Sequence, residues 1–391
     1  MRFIFTLLLF IMPVHLTNCL HIMRSTAYAA LLLALCVLAA PLPGCDSGGF
    51  KPPPPEPPPG RWQYLGLGGE NVVDITAIAV HPSDPNTIYA GSSFDFSAQI
   101  HGKLFKTTDG GATWDTLLVG GSHIDIQLDP QNPEVVYALP GGIIKSTDAG
   151  ETWNVISRDL RIPTIDRRAS SLAIDPESPE VLYAGIGGPF SGCPHKSTDG
   201  GENWKRLIPK GERSRLCNGV TSLTVDPQHS NIVYVGTAWA GEVFKSTNGG
   251  QSWKRSLENT GGIVGFTAVS PHNSELLYAG LRYRDGSLYR SSDGGDSWNR
   301  ERVGSGAGGM SQIAFAEMKV YLGTDEGIYL SRPGSAWVDM SEGLPAHRRV
   351  QEIALGPAGR RLYAGMDRTY VSADEHGLYV RDLTGNEATH R

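Results

Sequence analysis

The chain is predicted to be all-β and to close into a seven-bladed β-propeller of four-stranded antiparallel blades, on three observations. A strand phrase ending in tyrosine recurs seven times, at Tyr89, Tyr137, Tyr183, Tyr234, Tyr278, Tyr321 and Tyr363, at intervals of 42 to 51 residues. A second phrase, Ser/Thr-x-Asp-x-Gly-x-x-Trp, follows the tyrosine in most copies. The 391 residues hold 48 glycines and 26 prolines and no long stretch of apolar residues at helical spacing, a composition of short strands joined by turns. A period of this length with four strands per copy is that of a propeller, in which each small sheet packs on the next and the ring hides most strand edges.

Within each copy the elements follow in a fixed order: an alternating apolar strand, an Asp/Pro/Asn-rich turn, the tyrosine-bearing strand, a third strand, and the Asp phrase leading into a fourth. The turns Asp129-Pro130, Asp175-Pro176 and Asp226-Pro227 suit a hairpin, because the aspartate accepts nearby backbone N–H groups and proline presets φ. The second phrase appears at Asp109/Trp114, Asp148/Trp153, Asp199/Trp204 and Asp293/Trp298, with Asn248 in place of the acid before Trp253. A sixth copy, Ser331 to Trp337, keeps the tryptophan without the acid. In a hairpin between the third and fourth strands the carboxylate accepts N–H bonds across the turn, glycine takes the positive φ that other residues avoid, and tryptophan seals the apolar layer. These residues are therefore structural.

Closure is also readable. The seventh copy has a third strand near Gly377 to Arg381 but no tryptophan and no fourth strand after it, while Arg61-Trp62-Gln63-Tyr64 stands alone before the first copy. The N-terminal strand is expected to complete the last blade and latch the ring.

The repeated phrase resembles the Asp-box, or BNR repeat, of sialidases, sortilin-type receptors, xyloglucan-cleaving hydrolases and photosystem II assembly factors. The resemblance covers nearly all of residues 61–391. It implies the propeller fold and leaves function open, since one fold carries many roles. Arg161-Ile162-Pro163 resembles the Arg-Ile-Pro motif of sialidases, but two Asp phrases precede it here and no Tyr/Glu nucleophile pair can be assigned. His81 to Tyr89 resembles the wording of the xyloglucan hydrolases, whose inverting carboxylates flank a cleft between two propellers; this chain encodes one. Resemblance to the photosystem assembly factors, single seven-bladed propellers with a basic patch and, in bacteria, a lipoprotein signal, implies a scaffold that docks on a partner.

The chain divides into four segments. Residues 23–44 read as a signal peptide: Met23-Arg24, an apolar stretch from Ala27 to Ala40 too short to span a bilayer, then Leu42-Pro43-Gly44-Cys45. This resembles a bacterial lipobox, which implies lipidation of Cys45 and an exported, lipid-anchored protein on the periplasmic side of an envelope membrane. Residues 1–22 are either an upstream start artefact or an additional signal segment. Residues 45–60 form a Pro-rich linker, Pro52 to Pro59 interrupted by Glu56, which favours polyproline II at about 3 Å per residue. Residues 61–391 are the propeller. Cys193 and Cys217 remain in the exported domain, either joined as a disulfide, which an oxidising compartment favours, or as two buried thiols.

A formal net charge of -6 argues against nucleic acid as a partner. The face opposite the Asp turns carries the loops between second and third strands and between blades, where binding surfaces of such rings lie. Those loops hold Arg158, Arg161, Arg167, Arg168, Lys210, Arg213, Arg215, Arg282, Arg284, Arg348, Arg349 and Arg368, with the aromatic residues Phe94, Phe96, Phe190, Trp239, Tyr283 and Tyr370. Arginine beside aromatic rings suits carboxylate, phosphate or sulfate groups and stacking on sugars or peptides; the plainer alternative is loop charge paired with Asp159, Asp166, Glu212, Asp285 and Asp367. Asp95, Asp285, Asp367 and Asp374 are variable-loop carboxylates with no spacing that selects a catalytic pair. His101, His195 and His347 lack ligand spacing, and no metal or cofactor is implied. The reading is a monomeric, non-enzymatic binding or scaffold protein for a protein or anionic glycan partner, with a glycoside hydrolase or glycan binder as the alternative.

Overall fold

In the computed structural model the chain divides into two units, residues 1–52 and 53–391. The structure describes residues 60–68, 72, 74–95, 99–121, 124–157, 169–186, 192–209, 214–282, 287–304, 307–346, 349–367 and 376–384, all in the second unit. That unit is a ring of seven four-stranded antiparallel sheets. Blade 1 runs Ile75–Val80, Ile88–Ser92, Lys103–Thr107 and Asp115–Val119, and blades 2 to 6 repeat the order first, second, third, fourth strand. Blade 7 takes its first three strands from Val350–Leu355, Arg361–Met366 and Leu378–Asp382 and its fourth from Trp62–Gly66. Trp62 lies opposite Arg381, Gln63 opposite Val380 and Tyr64 opposite Tyr379, so the N-terminal strand closes the ring.

The core is divided into seven seams, one between each pair of neighbouring blades, and each contains the second-strand tyrosine of the earlier blade. None of these tyrosines is more than 4% exposed, which makes them the keel of the seam. In every blade but the second, which has Leu139, glycine two positions after the tyrosine lets the next blade approach. A Cβ on Gly91 would sit 2.6 Å from the Ile124 carbonyl oxygen, and one on Gly185 would sit 2.6 Å from Val220 Cγ1. The phrase Tyr-Ala-Gly thus states both what fills the seam and how close its walls come.

The Asp turns carry the bonds their sequence implies. Asp148 Oδ1 accepts from the Thr152 N–H at 2.8 Å and from Ser146 Oγ at 2.7 Å, and Thr152 Oγ1 donates to the other carboxylate oxygen at 2.6 Å. The same set forms around Asp109, Asp199 and Asp293. Asn248 reproduces it without charge, its Oδ1 accepting from the Ser252 N–H and its Nδ2 donating to Ser252 Oγ. Most tryptophans tie the turn to the preceding blade: Nε1 of Trp114, Trp204 and Trp62 donate to the carbonyls of Leu65, Ile156 and Met340. Trp153 bonds Gly150 in its own turn instead.

A further clamp runs in the other direction. Tyr89 Oη and Lys106 Nζ both donate to the Ala149 carbonyl in the turn of blade 2, each at 2.9 Å. Lys145 reaches Gly200, Lys196 reaches Gly249, and Tyr234 Oη reaches Gly294 at 2.8 Å. In blades 1 to 4, therefore, the tyrosine, the lysine or both of one blade hold the residue just after the Asp or Asn of the next.

Two predictions follow from this packing. Trp62→Ala removes a ring only 6% exposed together with its bond to blade 6, and denaturant unfolding should show a loss of about 3–5 kcal/mol. Hydrogen bonds from Thr152 and Asn203 hold the Asp148 and Asp199 carboxyls down at about 2, and Asp293 is lowered in the same way. Depressed carboxyls contribute stability that is present above the unfolded-state value and lost as pH falls through the folded one. The triple variant Asp148→Asn/Asp199→Asn/Asp293→Asn should therefore flatten the fall of Tm between about pH 4 and pH 2, as blade 4 already does with Asn248; an unchanged slope would refute this.

Candidate functional site

The first strands of the blades contact one another all the way round the ring and line its central channel. All but that of blade 2 begin with an irregularity in pairing, as between Ile75 and Ala77 or Ala169 and Ser171. The residue placed there turns its side chain to the neighbouring blade: Thr76 Oγ1 donates to the Ile124 carbonyl at 2.9 Å and Ser170 Oγ to the Val220 carbonyl at 2.6 Å. Small hydroxyl residues fill this position in blades 1, 3, 4 and 6, as Thr76, Ser170, Thr221 and Ser311. Blade 2 has Asp125 there, and blade 7 follows Gln351 with Glu352.

At the loop end of the channel lies a cavity of about 280 Å³ lined by Asp74 and Thr76 of blade 1, Arg282 of blade 5, Asp325 of blade 6, and Arg349, Gln351 and Asp367 of blade 7. Arg349 spans it. Its Nε donates to Asp325 Oδ1 at 2.7 Å and its Nη1 to Asp367 Oδ2 at 3.1 Å. Gln351 Nε2 donates to the same Asp367 oxygen at 2.8 Å, and the Gly309 N–H donates to Asp325 Oδ2. Asp367 is only 2% exposed, so these bonds replace the water it has lost. Asp74 accepts from Ser93 Oγ at 3.2 Å. Arg282 has no ion-pair partner within 4 Å among the described residues, yet its charge is felt by both channel carboxylates.

Those carboxylates are held away from ionisation. Burial pushes the Asp125 carboxyl up to about 6, against the pull of the Ile126 N–H, Gln127 and Arg282. Burial, and then the charge of Asp125, raise Glu352 well above the usual carboxylate range, with Gln312, the Ile353 N–H and Arg282 opposing. Two carboxyls sharing one narrow channel resist ionising together. Among the described residues no group of three or more His, Cys, Asp or Glu side chains is placed to hold a metal ion.

A second cluster occupies the loop side of blades 3 and 4. Cys193, the first residue of the third strand of blade 3, is joined to Cys217 in the short 3-10 turn Arg215–Cys217, with S–S 2.05 Å. Arg206 Nη2 lies 2.8 Å from Cys193 Sγ. Arg215 Nη1 donates to Glu242 Oε1 at 2.7 Å, and Arg255 reaches the same oxygen at 3.4 Å. Glu242 is 1% exposed, so Arg215 is an anchor for a buried charge as well as a surface cation. Trp239, in the adjoining loop, is 54% exposed.

Of the loop residues singled out in the sequence, Arg282 and Arg349 meet at the channel mouth, and Arg215 and Trp239 lie on blade 4. Arg158, Arg161, Arg167, Arg168, Lys210, Arg213, Tyr283, Arg284, Arg348 and Arg368 lie outside the described residues, as does Cys45. His195 Nδ1 lies 3.1 Å from the Cys193 carbonyl and His101 packs on Phe94. Sequence reasoning passed over Asp325, Asp125 and Glu352. Aligning the starts of the first strands would have exposed Asp125, an acid in a column of hydroxyls.

The fold and this mouth define a class: a seven-bladed propeller whose channel opens, on the loop side, into a polar, charge-paired cavity. Solved structures share the fold. A GH74 enzyme from Niastella koreensis superposes with TM-score 0.61 at 19% identity over 83% of this chain and 54% of that one, so the chain spans about half its length. YCF48 from Cyanidioschyzon merolae gives 0.59 at 15% identity over 83% of this chain and 100% of that one, and YCF48 bound to D1 peptide gives the same score. Sqt1 from Chaetomium thermophilum, bound to the N-terminus of the ribosomal protein L10, gives 0.57 at 14% identity over 79% of this chain and 97% of that one. No protein family and no curated protein matches the sequence.

The channel yields a pH prediction. A carboxyl raised in the folded state favours folding below its unfolded-state value and loses that contribution as pH rises through the folded one. Asp125→Asn should therefore be near neutral at about pH 4 and stabilise by about 1–3 kcal/mol at about pH 8. Thermal melts at both pH values check it; equal effects at the two would contradict it.

Proposed function

We propose that this protein is an envelope-anchored, non-enzymatic binding or scaffold propeller that holds a protein partner against its loop face, with the arginine-bearing loops receiving the partner's anionic groups. The Ser/Thr-x-Asp turns are read as Asp-boxes that brace the ring, and residues 23–45 as a lipoprotein signal with its acylated cysteine. The single observation that carries the reading is the channel mouth, where blades 1, 5, 6 and 7 contribute Arg282, Arg349 and three aspartates to one open cavity. A hydrolase would need an acid and a base about 6–10 Å apart across a scissile bond and free to exchange protons. Here Asp325 and Asp367 are both bonded to Arg349, an arrangement suited to a fixed surface for recognition. YCF48 and Sqt1, which share the fold, are seen with a peptide and a protein N-terminus, and this supports a peptide or protein as the partner class.

The test is site-specific photo-crosslinking in intact cells. A crosslinker at position 239, on the loop face, should give a discrete adduct, and one at position 151, in the Asp turn of blade 2, should give none. Neutralising Arg161, Arg168, Arg213 and Arg284 together should remove the adduct, and so should raised salt. An adduct that survives that variant, or reducing ends released from a polysaccharide panel by the purified protein, would overturn the proposal. Cys45→Ala should move the protein from the membrane to the soluble fraction.

A further inference from the structure

The seam between blades 5 and 6 departs from the others in three ways at once, all on the Asp-turn face. Serine and tryptophan of the turn are seven residues apart in blade 5, Ser291 and Trp298, but six in blade 6, Ser331 and Trp337. The aspartate is lost with the missing residue, and the turn closes on itself, Ser335 N–H to Arg332 carbonyl at 2.9 Å. The hairpin between the first and second strands of blade 6 is also cut short: Tyr321 pairs with Ala314, 7 positions back, where Tyr278 of blade 5 pairs with Ala268, 10 positions back. Finally, the lysine that clamps the next turn in blades 1 to 3 is replaced in blade 5 by Arg290, which pairs with Glu301 at 3.8 Å.

The space left open is a cavity of about 300 Å³. Its floor is apolar and aromatic: Tyr278 and Phe315 with centroids 6.0 Å apart, beside Leu276 and Val320. Trp337 stands edge-on to Tyr278 behind it, its Nε1 donating to Glu301 Oε2 at 3.0 Å. The rim bears Arg290, Lys319 and Arg332 against Glu301 and Glu317, and Glu301 is already engaged by Arg290 and Trp337. Arg290 keeps a side chain 41% exposed.

The four intact clamps show what this space lacks. In each, a tyrosine hydroxyl or a lysine ammonium, or both, donates to one backbone carbonyl supplied by the following blade. At blade 5 the donors remain and the shortened turn supplies no equivalent oxygen among the hydrogen bonds of the described residues. We infer that the blade 5–6 cavity binds the C-terminal residue of a peptide, its apolar or aromatic side chain lying on Tyr278 and Phe315 and its carboxylate received by Arg290 at the basic rim. A cavity of this size is at the small end of ligand sites and suits one or two residues. Arginine is the side chain that receives a carboxylate with two parallel bonds, and capture of a chain terminus is an established mode of peptide recognition. The site lies on the face opposite the channel mouth, so it stands or falls independently of the function proposed above.

The experiment titrates the full chain with an acetylated Gly-Gly-Phe peptide fluorinated on its aromatic ring, as the free acid and as the C-terminal amide, and reads fluorine NMR line width. The acid should bind saturably and the amide at least about tenfold more weakly, the factor expected when a charge-assisted bond is lost. Arg290→Gln should weaken the acid to the level of the amide. Replacing residues 331–337 with the eight residues 291–298 restores the blade 5 turn, should raise Tm and should abolish binding. If that graft fails to fold, Arg290→Gln decides alone. Equal binding of acid and amide, no saturable binding of the acid, or unchanged affinity in Arg290→Gln would overturn the inference.

Discussion

The ring depends on how two neighbouring blades meet. Each seam is built on one tyrosine with almost no exposure; in all but the seam after blade 2 a glycine lets the walls come close, and after blades 1 to 4 donors reach across to the next turn. Burying an aromatic ring of this kind supplies a large share of a seam's apolar area, and its hydroxyl still needs a partner. Placing that partner on the following blade makes burial and registration the same event. A blade that shifts along its neighbour loses both.

Polar chemistry is arranged in two layers around that frame. At the turn face the carboxylates of Asp109, Asp148, Asp199 and Asp293 are saturated by local donors and serve the backbone. At the channel end the carboxylates are fewer and harder to satisfy: Asp325 and Asp367 share Arg349, while Asp125 and Glu352 resist ionisation inside the ring. The same side chain is therefore cheap structure on one face and a source of electrostatic tension on the other, because solvent and spare N–H groups are plentiful at one and scarce at the other.

The architecture was legible in the sequence because it is periodic. Seven tyrosines fixed the number of blades, and the solitary Trp62 declared which strand was missing from the last one. The channel was not legible in the same way. Asp125 and Glu352 lie far apart in the chain, and only ring closure brings their charges within reach of each other and of Arg282. Arg349 read as a loop cation with Asp367 among the acids that could pair with such residues; Asp325 on its other side came from the fold alone. Local pattern reports what a residue does within its own hairpin; charge pairing between blades is a property of closure. The shortened turn of blade 6 stood between these cases, visible as an imperfect copy whose meaning came from the seam it leaves open.

The strand Trp62–Gly66 has a bearing on biogenesis. Among the described strands it is the first in the chain, and its partner, Leu378–Asp382, is the last. Blades 1 to 6 can assemble in order from chain already present, but blade 7 must wait for Leu378–Asp382, holding an unpaired edge open in the meantime. Until Leu378–Asp382 arrives, the ring exposes a strand edge and an unsealed Trp62, the kind of surface that makes an incomplete fold prone to aggregate.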